Sequence, residues 1–317
     1  MRILITGIHG FVGSNLVASL KGEHTIYGLD IQTPQKEGVQ KTYTWEDLKN
    51  GILPEVDAVI HLAGKAHDTK NQSKAEVYFE VNTGLTQVIF DYFLQSDARK
   101  FIFFSSVKAA ADTVPGNVLT EDIVPQPKGP YGESKIAAEN YIQSRLSKGS
   151  LADKEVYILR PCMIHGPGNK GNLNLLYGVV KKGIPWPLGA FENKRTFVSI
   201  DNLCFVIGGF LTRSVPTGIY HIADDEAIST NELIQIICEA IGKKARIWYI
   251  HKGFMEGIAQ MGTAMHLPLN TERLTKLTEN YVVSNEKLKK ALGVEKLPVS
   301  ARDGLFKTIH SFQKTDL

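Results

Sequence analysis

Residues 2–30 of this 317-residue chain constrain its fold more than any other stretch. Arg2 to Thr6 is a short apolar run of strand character that leads into Gly7-Ile8-His9-Gly10-Phe11-Val12-Gly13. Phe11, Val12, Leu16, Val17 and Leu20 then fall on one side of an amphipathic helix. A second strand, Thr25 to Leu29, ends at Asp30. Strand, glycine turn, helix, strand and acid in that order make a βαβ unit, and each glycine has a physical use. Gly7 permits the tight turn, Gly10 lets the backbone approach a pyrophosphate, and Gly13 lets the helix pack closely on the strand. The helix N-terminus then faces the anion. The alternative is a glycine-rich structural turn, which the context on both sides disfavours.

Asp30 falls where a carboxylate accepts hydrogen bonds from the hydroxyls of an adenosine ribose. Gly7, Gly10, Phe11, Val12, Gly13 and Asp30 are therefore candidate cofactor ligands. A carboxylate there would repel a ribose phosphate, and the next residue is Ile31 rather than Arg or Lys. NAD is favoured over NADP, with Lys36 the one residue arguing the other way.

The alternation continues downstream. Lys41 to Trp45 reads as a third strand; Glu46-Asp47 after it either reaches an adenine or caps a short helix. Asp57 to Gly64 reads as a fourth strand running into a small-residue turn, where Leu62, Ala63 and Gly64 would lie against the cofactor. His61, between apolar neighbours, reads as a core histidine. Glu76 to Gln95 is a long helical pattern in which Asn82 is either a backbone-bonding residue behind the site or exposed. Lys100 to Phe104 is a fifth strand with Ser105-Ser106 at its carboxyl end, where open parallel sheets bind ligands. A helix from Tyr131 to Ser147 and a sixth strand, Val156 to Leu159, complete the run.

This pattern predicts an α/β fold, a Rossmann-type doubly wound parallel sheet over residues 1–160, carrying both the cofactor and the catalytic groups. Residues 161–317 lose the regular alternation. There a loop at 166–172, a helix from Leu173 to Lys182 and the loop Pro185-Trp186-Pro187-Leu188-Gly189 are followed by three further elements. These are a strand at Gly218 to Ile222, a helix at Ser229 to Ile241 and a strand at Arg246 to Ile250. This part reads as a smaller, irregular substrate lobe, with some segments returning to the sheet.

Tyr131-Gly132-Glu133-Ser134-Lys135 carries the candidate chemistry. Residues four apart share one helix face, so Tyr131 and Lys135 lie about a turn from each other. A phenol, with an ordinary pKa of about 10, is a poor base near neutrality. A neighbouring ammonium favours the phenolate and makes tyrosine a usable proton-transfer group.

Composition narrows the remaining classes. Hydrophobic content of 43% and charged content of 22% suit a globular protein, and the net charge of +3 implies neither nucleic acid nor an acidic membrane surface. Cys162, Cys204 and Cys238 match neither a disulfide framework nor metal-ligand spacing, so no metal is expected. With no signal-like N-terminus and no apolar run approaching about 20 residues, a cytoplasmic protein without a membrane span is the expectation.

Taken together these motifs resemble an extended short-chain dehydrogenase/reductase, the group that holds NAD-dependent nucleotide-sugar epimerases and dehydratases. The likeness rests on the glycine turn, Asp30, His61-Leu62-Ala63-Gly64, Asn82, Ser105-Ser106, Tyr131 to Lys135, Arg160-Pro161, Gly166-Pro167-Gly168 and Arg195 to Asp201. It implies that Tyr131 transfers the proton, Lys135 is its electrostatic partner and a ribose ligand, and Ser106 hydrogen-bonds the reacting sugar oxygen. It adds Leu62, Ala63, Gly64, Asn82 and Ser105 to the cofactor site. Lys108, Asn172, Arg195 and Arg273 are implied substrate residues, Asn172 and Arg195 at the nucleotide diphosphate, where an arginine fork suits phosphate geometry.

Ser105 to Ala109, the 185–189 loop and Arg273-Leu274 look most like enzymes of bacterial surface-polysaccharide synthesis that act at C4 of UDP-linked hexoses or N-acetylhexosamines. The expected activity is a C4 epimerase working through a 4-keto intermediate on a UDP-sugar, in a homodimer. The alternatives are an NAD(P)H-dependent reductase of a UDP-4-keto-6-deoxy sugar and a non-catalytic dinucleotide-binding sensor. Met163 stands where many members of the family carry Asn, and Val107-Lys108 replaces the Asp-Glu of the 4,6-dehydratases, which disfavours dehydration.

Overall fold

The computed structural model describes residues 1–66, 74–149, 153–169, 171–265, 267 and 269–315; Lys170 of the expected 166–172 loop lies outside them. In chain order the strands are β1 (Arg2–Thr6), β2 (Thr25–Leu29), β3 (Lys41–Tyr43), β4 (Ala58–His61), β5 (Lys100–Phe104), β6 (Glu155–Pro161), β7 (Met163–His165), β8 (Phe197–Ser199) and β9 (Gly218–Ile222). All but β7 and β8 form one sheet in the order β3-β2-β1-β4-β5-β6-β9, and every pairing in it is parallel. The strand order reverses between β1 and β4, which opens a ligand crevice at their carboxyl ends.

The central strands are covered on both faces, so they read as continuous apolar runs. Ile3 and Ile5 pack with α1 (Phe11–Leu20), whereas Leu4, Val59 and Phe101 face the opposite layer. Helix α2 (Trp45–Lys49) is closed by a capping box in which Thr44 and Asp47 satisfy each other's backbone N–H. Asp47 therefore caps, the second of the two readings above. The long helix expected at Glu76 to Gln95 is α3 (Ala75–Tyr78) and α4 (Leu85–Gln95) joined by a π-helical turn at Phe79–Gly84. After β5 come α5 (Val107–Ala110) and α6 (Gly129–Lys148).

Beyond residue 161 the chain supplies both layers. Helix α7 (Asn172–Lys181) lies between β7 and β8 in the chain, and α8 (Ile200–Thr212) follows β8 directly and packs on it. Helix α8 went unrecognised in the sequence; its Leu203, Val206, Ile207 and Phe210 are fully buried in the core that holds α1 and β1. Helices α9 (Thr230–Ala240), α10 (Lys252–Ala264), α11 (Thr271–Thr278), α12 (Glu286–Leu292) and α13 (Ala301–Thr315) follow. Leu173, Ile237 and Leu305, from α7, α9 and α13, belong to a second core. The strand expected at Arg246 to Ile250 is not a strand: Ile247 and Tyr249 make only isolated bridges to Trp186 and Leu188. Its partner, the proline-bracketed 185–189 loop, is too short and bent to propagate a ladder.

Candidate active site

The turn after β1 is built as its glycines require. Gly7 has φ +68°, and a Cβ on it would lie 2.9 Å from the Ala63 backbone nitrogen. A Cβ on Gly13 would lie 2.6 Å from the Gly7 carbonyl oxygen, so α1 packs directly on the turn. Phe11 and Val12 form the half-buried first turn of α1, and the Gly10 N–H donates to the Gly7 carbonyl at 3.0 Å. The Asp30 carboxylate accepts the N–H groups of His9 (3.1 Å) and Ile31 (2.7 Å), each on a different oxygen. Both oxygens keep lone pairs for ribose hydroxyls, so the crevice fits a dinucleotide. Lys36 lies close by, donating to the Ser14 hydroxyl at 2.8 Å.

On the other side of the crevice, Thr6 Oγ1 accepts the N–H groups of Leu62 (3.1 Å) and Ala63 (3.0 Å) and fixes the exit of β4. His61 is held between the hydroxyls of Thr6 and Thr86 at 2.7 and 2.9 Å. Burial, and secondarily the Lys135 charge, pushes its pKa down to about 3, so it is a neutral core residue. Asn82 sits fully buried in the π-helical turn, its amide oxygen accepting the Lys65 N–H at 2.7 Å and its NH2 donating to Ser134 Oγ at 2.9 Å. It is the backbone-bonding residue of the two readings. A wider helical turn at a functional site re-aims a side chain, here onto the loop after β4. At Gly64 a Cβ would stand 3.0 Å from Asn82 Oδ1 and 3.1 Å from Lys135 Nζ. The loop after β4 and helix α6, which carries Tyr131 and Lys135, therefore lie side by side.

Ser106, at the carboxyl end of β5, caps α5 by accepting the Lys108 N–H at 3.2 Å, and its side chain is also hydrogen-bonded to Tyr131. Tyr131 meets Tyr78 edge to face at 6.4 Å. Burial raises the phenol's pKa, the Ser106 bond opposes that, and Tyr78 adds to it, so without ligands Tyr131 is protonated. One turn on, the Lys135 ammonium donates to the Phe104 carbonyl at 2.8 Å. Burial lowers its pKa to about 8, opposed by Glu139.

A pH dependence follows. Lys135 carries its charge below about pH 8 and loses it above. For a charge needed in catalysis, kcat/KM of the free enzyme is expected to fall by about tenfold per pH unit on that alkaline side. The pH profile of kcat/KM measures this; a flat profile from pH 7 to 10 contradicts it. Stability moves oppositely: the unfolded lysine binds more protons between about pH 8 and 10.5, so this group's penalty is relieved as pH rises through that window.

Ser105 turns the other way. Its hydroxyl donates to Glu139, whose two oxygens also accept Arg160 Nε at 3.0 and 3.2 Å and Arg160 Nη2 at 2.6 Å. The Ser105 side chain is thus committed to Glu139, while its backbone N–H donates to the Leu159 carbonyl at 2.8 Å. Glu139 and Arg160 are 0% and 1% exposed. Sequence reading passed over Glu139, although Tyr131, Lys135 and Glu139 share one helical stripe at four-residue spacing.

The substrate-side residues are only partly gathered. Lys108 is tied to the Asp112 carbonyl (2.7 Å) and carboxylate (3.1 Å) and lies 4.6 Å over the Tyr281 ring. Arg195, backbone-bridged to Tyr281, pairs with the Glu279 carboxylate at 3.0 Å and donates to the Lys276 carbonyl. Both cations thus meet around Tyr281, beside the end of α11. Arg273 is exposed on α11, and Asn172 is exposed at the start of α7. Met163 is 38% exposed on β7.

The chain is similar to known proteins over most of its length. The model of the NAD dependent epimerase/dehydratase family matches residues 3–223. A UDP-glucose 4-epimerase of Vibrio cholerae is 32% identical over 257 residues, 76% of each chain. A GDP-6-deoxy-D-mannose reductase of Pseudomonas aeruginosa is 24% identical, over 75% of this chain and 79% of that one. The crystal structure of a UDP-glucuronic acid 4-epimerase from Bacillus cereus in complex with NAD superposes with a TM-score of 0.74, at 20% identity and 99% coverage of both chains. With the glycine turn, Asp30 and the Ser106–Tyr131–Lys135 group on one crevice, the chain belongs to the NAD dependent epimerase/dehydratase family, as an enzyme of the extended short-chain dehydrogenase/reductase type.

Proposed function

We propose that this chain is a UDP-sugar 4-epimerase that inverts C4 of a UDP-hexose or UDP-N-acetylhexosamine through a 4-keto intermediate, for surface-polysaccharide precursors. The observation carrying this reading is the Ser106–Tyr131 hydrogen bond at the carboxyl end of β5, one helical turn from an ammonium lying close to Gly64. Bound NAD supplies the acceptor and later the donor of the C4 hydride.

The backbone at Gly7, Gly10 and Gly13 and the first turn of α1 hold the pyrophosphate, and Asp30 holds the ribose. Ser106 orients the C4 oxygen; Tyr131, as phenolate, takes the hydroxyl proton and returns it to the 4-keto oxygen when hydride goes back to the opposite face. Lys135 stabilises the phenolate. Lys108, Asn172, Arg195 and Arg273 bind the nucleotide diphosphate or sugar, Arg195 exchanging Glu279 for phosphate oxygens. Tight binding of the diphosphate with a loosely held hexose lets the keto sugar turn over.

The test is incubation with NAD and each of UDP-glucose, UDP-galactose and their N-acetyl counterparts, followed by NMR of the sugar. A C4 epimer formed without net change in NADH is expected. No epimer, together with stoichiometric NADH consumption on a UDP-4-keto-6-deoxy sugar, establishes the reductase instead, a reading favoured by the reductase among the relatives. We also propose a cytoplasmic homodimer joined through α3–α4 and α6, on which Val77, Phe79 and Val88 are exposed.

A further inference from the structure

One face of the C-terminal lobe differs from the rest of the surface. The end of α7, the segment from Lys243 to His251 and the start of α10 are joined there. Trp186 N–H donates to the Arg246 carbonyl and Trp248 N–H to the Trp186 carbonyl, each at 2.8 Å. Lys243 Nζ donates to the Lys181 carbonyl at 2.6 Å. Lys181, Lys182, Lys243, Lys244, Arg246 and Lys252 are all exposed on these segments. Residues 181–184 and 243–254 contain no Asp or Glu, so these two segments present six cations with no acid among them. The neighbouring acids are Glu256, exposed on the second turn of α10, Glu239 at the end of α9, which pairs with Arg302, and exposed Glu192, next to the Phe191 ring under Lys252.

The same segments and the helix that follows them also expose large apolar side chains. Trp248 is 55% exposed and Tyr249 72%. On α10, Phe254 is 64% exposed, Met261 56% and the following Met265 62%, with half-buried Ile258 between. These four recur at i, i+4, i+7 and i+11, which is one helix stripe. Met255 and Ala259 face inward and fill the lobe core, Ile258 packs at its edge, and Phe254, Met261 and Met265 stay outside it on the solvent side.

We propose that this face lies on the surface of an anionic lipid bilayer. Amphipathic rings of Trp and Tyr prefer the interfacial layer, and an apolar helix stripe ringed by lysines is the composition of a helix lying in the plane of the interface. The long lysine stems reach along apolar surface to the headgroups. Among the described residues no helix is long and apolar enough to cross a membrane, so the contact is peripheral. A second copy of the chain is a poorer occupant, because a two-fold contact would oppose the same cations on both subunits.

The full-length protein is sedimented with vesicles of phosphatidylcholine alone, or with one third phosphatidylglycerol. Binding to the anionic vesicles only, weakened by salt, is expected. The triple variant Lys243→Glu, Arg246→Glu, Lys252→Glu is expected to lower the partition coefficient by roughly a hundredfold. Phe254→Ser with Met261→Ser is expected to lower it by about tenfold or more. Trp248 emission in the unaltered protein shifts to the blue on adding anionic vesicles, and Trp248→Phe abolishes the shift, a readout independent of how the patch variants fold. Absence of binding to anionic vesicles overturns the proposal, as does binding unchanged in the serine variant. A change of oligomeric state in the patch variants, read by light scattering, overturns it in favour of self-association. None of these outcomes depends on the sugar the enzyme uses.

Discussion

Tyr131→Phe is expected to lower kcat by about 10²–10⁴-fold, the usual contribution of a positioned proton-transfer group, while leaving the fold and NAD binding intact. The ring keeps its edge contact with Tyr78 at 6.4 Å and its place on α6, so packing is conserved. What is lost is the hydroxyl bonded to Ser106. The C4 hydroxyl proton then has no acceptor, and KM for the UDP-sugar changes little because the deleted atom acts on the reacting oxygen rather than the diphosphate. Steady-state kinetics on the epimerised sugar, with circular dichroism as the folding control, measure this. A kcat within threefold of the unaltered enzyme would remove Tyr131 from the mechanism.

Local physics made part of this site legible in the sequence. The glycine turn, Asp30 and the Tyr131–Lys135 pair lie within single βα units, where spacing alone determines geometry. Residues whose roles depend on distant partners were not legible in this way. Asn82 reads as a polar residue on either face of an ordinary helix; only the π-helical turn, set by contacts with α6 and the loop after β4, turns it onto Lys65 and Ser134. Ser105 and Ser106 differ by one position, and a strand sends neighbours to opposite faces. Ser106 reaches Tyr131, and Ser105 reaches Glu139.

Helix α8 has the opposite problem. Its Ile200–Thr212 sequence is apolar on nearly every side because both flanks are buried, and periodicity then carries little signal. The isolated bridges at Ile247 and Tyr249 show the limit of β-propensity, since a β-rich run without a straight partner does not extend a sheet. The lobe's cationic, aromatic face is likewise invisible in the chain's net charge, because it joins residues about 60 positions apart, such as Lys181 and Lys243.

Breaking the Glu139–Arg160 pair is the substitution with the largest expected effect on stability. At exposed pairs such as Arg2–Glu55, with side chains 45% and 78% exposed, solvent screening leaves little net attraction. Glu139 and Arg160 have 0% and 1% of their side chains exposed. Arg160→Met leaves a desolvated carboxylate, and Glu139→Leu leaves a desolvated guanidinium; each is expected to cost about 3–5 kcal/mol in chemical denaturation. The double variant is expected to recover most of that loss, since removing both charges removes the burial penalty with the attraction. Arg160 Nη1, buried without a hydrogen-bond partner, already makes the pair less than fully satisfied, which favours such recovery. Catalysis separates from stability here. Glu139 lies on the Tyr131–Lys135 stripe, holds the hydroxyl next to Ser106, and opposes the burial that lowers the Lys135 pKa. In Glu139→Gln the alkaline limb of kcat/KM is therefore expected to move below pH 8, and the stable double variant keeps that shift because it too lacks the carboxylate. If Arg160→Met costs less than 1 kcal/mol the pair does not hold the fold, and if the limb stays in place in Glu139→Gln the carboxylate does not set the lysine.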